Sequence, residues 1–97
     1  MPAKRQYWVY IMTNRWHSVL STGVTNDIAR RVAEHKSGKG GWFTRKYKVA
    51  KLVYVESTNS IRSAIQREKQ INAGSREKKI ELIHGVNPEW KDLSVEE

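Results

Sequence analysis

The chain has 97 residues and a formal net charge of +8, and it contains no cysteine. This length suits one domain, while the lack of cysteine excludes disulfide-linked partners and thiolate metal sites. No segment approaches the roughly 20 apolar residues that cross a bilayer, and no long apolar stretch follows the basic N-terminus as in a signal peptide. We therefore expect a single cytoplasmic domain over residues 1–97, with nucleic acid rather than a membrane as its partner.

The first half of the chain predicts a hairpin followed by a helix. Aromatic and β-branched residues dominate Tyr7–Thr13, which predicts a strand, and this strand should be central because both of its faces are apolar. Val19–Thr25 predicts a second strand, in which Gly23 suggests a bend or a close approach by other backbone. Asn26 and Asp27 are good cap residues for the first helix.

The second half predicts a loop, a strand and two helices. Ser37–Tyr47 contains three glycines with several cations and aromatic residues, which is typical of a loop. Lys51–Glu56 predicts the third strand, and Ser60 and Ser75 are candidate caps of two further helices, the first ending at Gly74. The order β-β-α-β-α-α predicts an α+β domain with a small three-stranded antiparallel sheet flanked by three helices.

Two polar side chains fall on the apolar side of the first predicted helix. Ile28 and Val32 define that side, and the helical period places His35 within it and Arg31 at its edge. Taken alone, His35 suits either a hydrogen-bonded, partly buried imidazole or a functional group. Arg31 suits either a surface guanidinium whose stem packs on the sheet or a group that binds an anion.

Glu68 lies in the middle of the apolar face of the second predicted helix. Four residues form that face: Ile61, Ala64, Ile65 and Ile71. Because burying an unpaired carboxylate is unfavourable, a cation from another element, a metal ion or solvent in a cleft must meet Glu68. A carboxylate, a guanidinium and an imidazole aimed at one surface are the groups that metal-assisted phosphoryl chemistry uses.

These residues and the strands before them resemble the GIY-YIG nuclease superfamily, in particular its small single-domain bacterial members. Trp8–Tyr10 stands where that family has its GIY element, and Leu20–Asp27 stands where the YIG element and the next helix cap belong. Ala29–His35 resembles the arginine-histidine helix, and Ala64–Ile71 resembles the helix with the metal-binding glutamate. Asn87–Leu93 resembles a closing segment, so the resemblance covers nearly the whole chain.

The resemblance implies hydrolysis of phosphodiester bonds with one divalent metal ion, Mg²⁺ or Mn²⁺. Carried onto this chain, it makes Glu68 the metal ligand and Arg31 the contact to the scissile phosphate, with His35 assisting in proton handling or positioning. Tyr10 would line the site from the first strand. Ser21 stands where the family has a tyrosine that orients or deprotonates the attacking water, so this catalytic position is altered.

The clustered cations predict contacts to a nucleic acid, for which DNA is favoured over RNA and the choice between the two stays open. Four residues are the candidates for this binding: Lys39, Arg45, Lys46 and Lys69. The segment Ser37–Tyr47 suits either an ordinary flexible connection or a mobile loop that places cations on phosphates and stacks Trp42 or Phe43 on bases. The leading hypothesis is an endonuclease weakened by Ser21, and the alternative is an inactive nucleic-acid-binding module on the same fold.

Overall fold

The computed structural model describes residues 5–95, so residues 1–4 and 96–97 of the predicted domain lie outside the described part of the chain. Seven elements follow in chain order: β1 (Tyr7–Thr13), β2 (Leu20–Thr25), α1 (Ile28–Lys36), α2 (Trp42–Lys46), β3 (Lys51–Thr58), α3 (Ile61–Ala73) and α4 (Arg76–Val86). The predicted fold and element order are confirmed, with one addition. The short helix α2 lies in the segment that the sequence predicts to be a loop. Within residues 5–95, every helix is too short or too polar to cross a bilayer.

The sheet has the strand order β2-β1-β3, and both strand pairs are antiparallel. The prediction that β1 is central is therefore confirmed, and β2 is an edge strand. The β1–β3 register shifts at one point, since Ile11 pairs with Tyr54 while the next residue, Met12, pairs with Leu52. Val53 is left without a partner across the sheet, which is the pattern of a β-bulge.

The alternation of side chains in β1 divides the interior into two layers. Val9 and Ile11 face the side that α3 and α4 cover, whereas Tyr10 and Met12 face the side that α1 covers. The first layer is built from seven buried residues: Val9, Ile11, Val53, Tyr54, Ala64, Ile71 and Ile83. The second layer is built from five: Tyr10, Met12, Val32, Val49 and Leu52. Tyr10 thus approaches α1, the helix that carries Arg31 and His35.

Side-chain caps fix where the longer helices begin. Asp27, Ser60 and Ser75 are the N-caps of α1, α3 and α4, and each side chain accepts a hydrogen bond from a backbone N–H in the first turn. Gly74 is the C-cap of α3, as predicted. Helix α4 includes Gly85 and ends at Val86.

The prediction of a four-residue apolar stripe on α3 is wrong for two of its members. Ala64 and Ile71 are buried against the sheet, but Ile61 and Ile65 are exposed and Glu68 is only half-buried. The cause is the position of the neighbouring strand: β2 ends the sheet, so the side of α3 that overhangs β2 has no further strand to cover it. The carboxylate of Glu68 is therefore partly open to solvent rather than enclosed in the core.

The segment after α4 fastens the C-terminal part of the chain to the domain. Asn87 is buried, and its Nδ2 donates to the carbonyl of Val53 at 3.0 Å and to that of Lys91 at 2.8 Å. The Val53 carbonyl belongs to the bulge residue of β3, so Asn87 satisfies a backbone group at the irregular point of the sheet. Asp92 accepts a hydrogen bond from Lys36 Nζ at 2.7 Å, which ties the segment to α1.

Candidate active site

Tyr10 and Arg31 form the centre of a polar cluster on the α1 side of the sheet. The Tyr10 side chain is 3% exposed, and its hydroxyl accepts a hydrogen bond from Arg31 Nε at 3.0 Å. This hydrogen bond raises the pKa of Arg31, against the opposite effect of burial, so the guanidinium keeps its charge. Arg31 Nη1 lies 3.7 Å from Glu34 Oε1, and Nη2 lies 3.5 Å from the Gly40 carbonyl oxygen. The guanidinium is thus held from three directions, while the side chain remains about one-third exposed.

The ring of Tyr10 can reach Arg31 only because residue 23 has no side chain. Tyr10 and Gly23 are opposite each other in the β1–β2 pair. A Cβ atom at Gly23 would lie 2.4 Å from the Tyr10 hydroxyl oxygen and 2.6 Å from Cζ. The sequence suggests a bend or a close approach by other backbone at Gly23; the structure shows that a side chain, the Tyr10 ring, makes the close approach.

His35 is a buried group that supports this cluster from α1. Its Nδ1 lies 2.9 Å from the Val49 carbonyl oxygen, and its Nε2 is buried with no hydrogen-bond partner among residues 5–95. Because a carbonyl only accepts, Nδ1 must carry a proton, and in the neutral ring Nε2 then lacks one. Burial lowers the pKa of His35, against the opposing effect of its bond to Val49, so the ring is neutral at pH 7. The ring also meets Tyr10 edge-on, with centroids 6.3 Å apart.

Ser21 lies on the edge strand, on the same side of the sheet as Tyr10. It pairs with Met12, whose side chain faces α1, so the Ser21 side chain also points towards α1. The Tyr10 ring lies over Gly23. Alternate residues of a strand are about 6.7 Å apart, so Ser21 is about that far from Gly23 along β2. The intervening residue, Thr22, points to the α3 side, where its hydroxyl is buried without a partner among residues 5–95.

Glu68 is half-buried and has a neutral partner. Its Oε1 accepts a hydrogen bond from Asn72 Nδ2 at 2.7 Å, and Asn72 Oδ1 in turn accepts from Lys79 Nζ at 3.1 Å. None of the ion pairs formed within residues 5–95 includes Glu68. Of the three alternatives that the sequence leaves open, an ion pair across the core is therefore not what the fold provides.

The course of α3 along β2 places Glu68 near the level of Ser21. Ile61, at the start of α3, lines a cleft together with the last residues of β2. Arg76, just after α3, donates to the carbonyls of residues 17 and 18, which lie just before β2. The helix therefore runs opposite to the strand. Glu68 follows Ile61 by about two turns, roughly 10 Å along the axis, and the same distance along β2 covers about three residues.

The cleft opens at the free edge of β2, with a volume of about 480 Å³. Arg31 and Glu34 line it from α1, Val24 lines it from β2, and Ile61 lines it from α3. Glu68 is not among the residues that line this cleft.

The four predicted nucleic-acid-binding cations are all exposed, but they do not form one group. Lys39 follows α1, Arg45 and Lys46 belong to α2, and Lys69 lies on α3. The first three share the segment whose Gly40 carbonyl lies beside Arg31. Three cations therefore lie in one segment next to the cluster, and the fourth belongs to a separate helix.

Several contacts of the cluster involve residues outside the predicted set. Glu34 pairs with Arg31 at a spacing of three residues on α1, and this spacing was a usable sequence signal. The carbonyl oxygens of Gly40 and Val49, which contact Arg31 and His35, come from the backbone of distant segments. Side-chain patterns carry no signal for such backbone contacts.

Comparison with known proteins identifies the family. The GIY-YIG catalytic domain matches residues 6–81. The chain belongs to the GIY-YIG family. A UPF0213 protein of Natronomonas pharaonis is 39% identical over 77 residues, which cover 79% of this chain and 89% of that protein. A UPF0213 protein of Syntrophus aciditrophicus is 40% identical over 83 residues, which cover 84% of this chain and 93% of that protein.

A solved structure supports the same family. The solution NMR structure of a UPF0213 protein from Bacillus halodurans aligns with 90% of this GIY-YIG chain and 92% of its own, with a TM-score of 0.57 and 31% sequence identity. The similar proteins are small and come from bacteria and archaea. The predicted family is therefore confirmed, together with its three-stranded sheet.

GIY-YIG nucleases generally use a divalent metal ion, and this chain has a suitable donor for one that is held by a single carboxylate. Within residues 5–95, no group of three or more acidic or histidine side chains is arranged to hold a metal. Glu68 offers a half-exposed carboxylate with only its Oε1 engaged. Mg²⁺ usually keeps several waters and takes one or two carboxylates together with substrate phosphates, so one such carboxylate fits that mode of binding.

Proposed function

We propose that this GIY-YIG protein is an endonuclease that hydrolyses phosphodiester bonds of nucleic acid, DNA rather than RNA, with Mg²⁺ or Mn²⁺. The observation that carries the proposal is the Arg31 guanidinium, which Tyr10 holds at 3.0 Å while part of it stays open to the cleft. A guanidinium presents its donors in a planar fork that matches phosphate oxygens. A fixed cation at a cleft in a chain of net charge +8 is well suited to a phosphodiester backbone.

Three residues of the cluster, and Glu68 on α3, have distinct roles in this proposal. Arg31 binds the scissile phosphate and stabilises the charge that develops on it. Glu68 holds the divalent ion, which when bound supplies Lewis-acid stabilisation of the phosphoryl oxygens. Tyr10 orients Arg31 and is the phenol that stands nearest to it. His35 acts as a positioning residue, because its protonated nitrogen is bonded to Val49 and its other nitrogen is buried.

Ser21 is the reason to keep a second candidate function. The serine hydroxyl is shorter than a tyrosine side chain and a far weaker acid, so it cannot replace a phenol as a general base at the same point. A general base contributes about 10²–10⁴-fold in rate. If the missing phenol is that base, the enzyme is slow; if Tyr10 handles the proton instead, cleavage does not depend on a phenol at residue 21. Alternatively, the chain is a nucleic-acid-binding module that has lost cleavage.

Substitution of Glu68 by glutamine tests the proposal. The wild type should cleave at least one of single-stranded, duplex, flapped or branched DNA with Mg²⁺ or Mn²⁺, and EDTA should stop cleavage. Glu68→Gln should lose metal-dependent cleavage and keep its binding to the same substrate in EDTA. Its melting temperature should stay close to that of the wild type, because a half-exposed side chain with a neutral partner contributes little to stability.

The matched control is Glu77→Gln, which removes an exposed carboxylate from the first turn of α4. This variant loses the same charge and should keep cleavage. Cleavage by Glu68→Gln at the wild-type rate would contradict the assignment of Glu68. Salt-sensitive binding by the wild type, with no cleavage of any substrate, would instead establish the binding module.

A further inference from the structure

Helix α2 exposes a group of aromatic side chains in an otherwise polar segment. Trp42 is 64% exposed, and Phe43 and Tyr47 beside it are also exposed. The helix faces the interior only through Thr44, the one buried residue of its five. Clustered exposed aromatic surface of this kind marks an interaction site more often than a scattered apolar residue does.

Lys46 lies against two of these rings, and acidic residues are absent from the same stretch of sequence. Lys46 Nζ lies 4.9 Å from the centroid of the Trp42 ring and 5.5 Å from that of Tyr47, and the Phe43 and Tyr47 centroids are 4.8 Å apart. Between Glu34 and Glu56 the sequence contains no Asp or Glu. It contains six cations there: Lys36, Lys39, Arg45, Lys46, Lys48 and Lys51. This surface therefore combines π faces with positive charge, which suits an anionic partner that has flat rings.

The contacts at the base of α2 hold it next to Arg31. The Gly40 carbonyl oxygen lies 3.5 Å from Arg31 Nη2. A Cβ atom at Gly40 would lie 2.9 Å from Thr44 Oγ1 and 3.0 Å from His35 Cδ2, so the turn packs tightly on α1. The Val49 N–H donates to the Thr44 carbonyl at 2.9 Å and closes the other end. The aromatic group is thus anchored to the segment that touches the phosphate-binding arginine.

We propose that Trp42, Phe43, Lys46 and Tyr47 form a stacking surface, the α2 platform, for the bases of an unpaired nucleic-acid strand. The inference rests on the proposed function for the place of cleavage, and it names the substrate class. A strand whose phosphate lies at Arg31 continues over α2, where its bases stack on the rings while the cations contact its phosphates. Bases inside a duplex keep their π faces covered, so the platform selects strands with unpaired bases beside the scissile phosphate.

Binding measurements in EDTA on the full-length chain test the platform without any cleavage. Fluorescence anisotropy would compare a labelled single strand, as DNA and as RNA, with the same strand made abasic at several positions and with a blunt duplex. Stacking is worth about 1–3 kcal/mol per base, which corresponds to about 5- to 150-fold in affinity. The wild type should prefer the normal strand over the abasic strand by a factor in this range.

Trp42→Ala should lose most of that preference and leave the affinity for the duplex nearly unchanged. Trp16→Ala is a matched control, because Trp16 is 62% exposed and has Arg15 5.3 Å from its ring but lies in the β1–β2 turn. It should bind like the wild type. Arg45→Ala should reduce the slope of log affinity against log salt by about 0.7 and keep the preference for the normal strand. Melting curves of all three variants should match the wild type, because these side chains are exposed.

Equal affinity of the wild type for the normal and abasic strands would overturn the platform, whatever the variants do. So would a Trp42→Ala variant that keeps the preference at the level of Trp16→Ala. Either result leaves the proposed nuclease activity untouched if metal-dependent cleavage is present. Conversely, a base-dependent preference lost in Trp42→Ala supports the platform even if no substrate is cleaved, and the proposed activity alone then fails.

Discussion

The tight contact between Gly23 and Tyr10 makes Gly23→Ala the most informative single substitution in this protein. A methyl group at residue 23 would lie 2.4 Å from the Tyr10 hydroxyl oxygen and 2.6 Å from Cζ. Favourable contacts between heavy atoms lie near 3.5–4.0 Å, so the end of the ring must move by about 1 Å. The moved group is the end of a rigid, buried aromatic ring, which has few other positions to adopt. The same movement lengthens the 3.0 Å hydrogen bond to Arg31 Nε.

The expected size of the effect follows from two opposing contributions. Replacing glycine in a strand normally stabilises by about 0.5–1 kcal/mol, because the unfolded chain loses freedom. Forcing a methyl group into a packed interior costs about 1–3 kcal/mol, and weakening the hydrogen bond to Arg31 adds about 1 kcal/mol. We expect Gly23→Ala to destabilise the fold by about 1–3 kcal/mol. For a domain of this size, 1 kcal/mol corresponds to about 4–8 °C in melting temperature.

Gly85→Ala is the matched control, with the opposite expected sign. Gly85 lies within α4, and an added Cβ there meets no atom within 4 Å. It should stabilise by about 0.5–1 kcal/mol, since alanine is the better helix former. Thermal unfolding followed by circular dichroism measures both variants. If Gly23→Ala melts at or above the wild-type temperature, the contact does not hold the ring and the reasoning is refuted. Cleavage should fall as well, because a misplacement of about 1 Å can lower the rate by about 10²-fold.

Three further predictions concern the altered strand and the C-terminal segment. If the missing phenol is the general base, Ser21→Tyr should speed single-turnover cleavage by about 10²–10⁴-fold. If the rate is unchanged and Tyr10→Phe abolishes cleavage, Tyr10 is the general base instead. Asn87→Ala should destabilise by about 1–3 kcal/mol in urea unfolding, because a bulge carbonyl loses its buried donor; no change in midpoint would contradict this role. Although burial alone would raise it, hydrogen bonds from Lys36 and neighbouring groups hold the pKa of Asp92 below its usual 3.8. The stabilisation relative to Asp92→Asn should therefore be present at pH 7 and disappear as the pH falls below about 4, and a pH-independent difference would exclude this linkage.

The fold follows from the sequence because its signals are local. The caps Asp27, Ser60 and Ser75, the apolar run of β1 and the glycine that ends α3 all act within a few residues of themselves. Helix α2 was not predicted because it lacks such local signals. Its five residues carry no side-chain cap, and the glycines before it suggest a loop, so its contacts with the segments on either side, such as the Val49 N–H to the Thr44 carbonyl, define it.

The arrangement of the candidate site follows from the sequence only in part. The helical period correctly puts His35 on the buried side of α1 and Arg31 at its edge. The same method fails on α3, because the burial of Ile65 and Glu68 depends on whether a strand lies beneath them. Helical periodicity identifies which residues share a face, but it cannot reveal that the facing strand is the last of the sheet.

The residues of the candidate site differ in how much they reveal about function. Gly23 and His35 have structural roles. Gly23 leaves space for the Tyr10 ring, and His35 binds the Val49 carbonyl. An inactive chain with this fold would need both, so neither argues for cleavage, and His35→Ala would lower activity through lost packing alone. Glu68 has no comparable duty, since it is half-exposed and meets only an amide. Glu68 is thus a carboxylate that the fold does not require; the proposed role in holding a metal ion would account for it, whereas nucleic-acid binding alone would not.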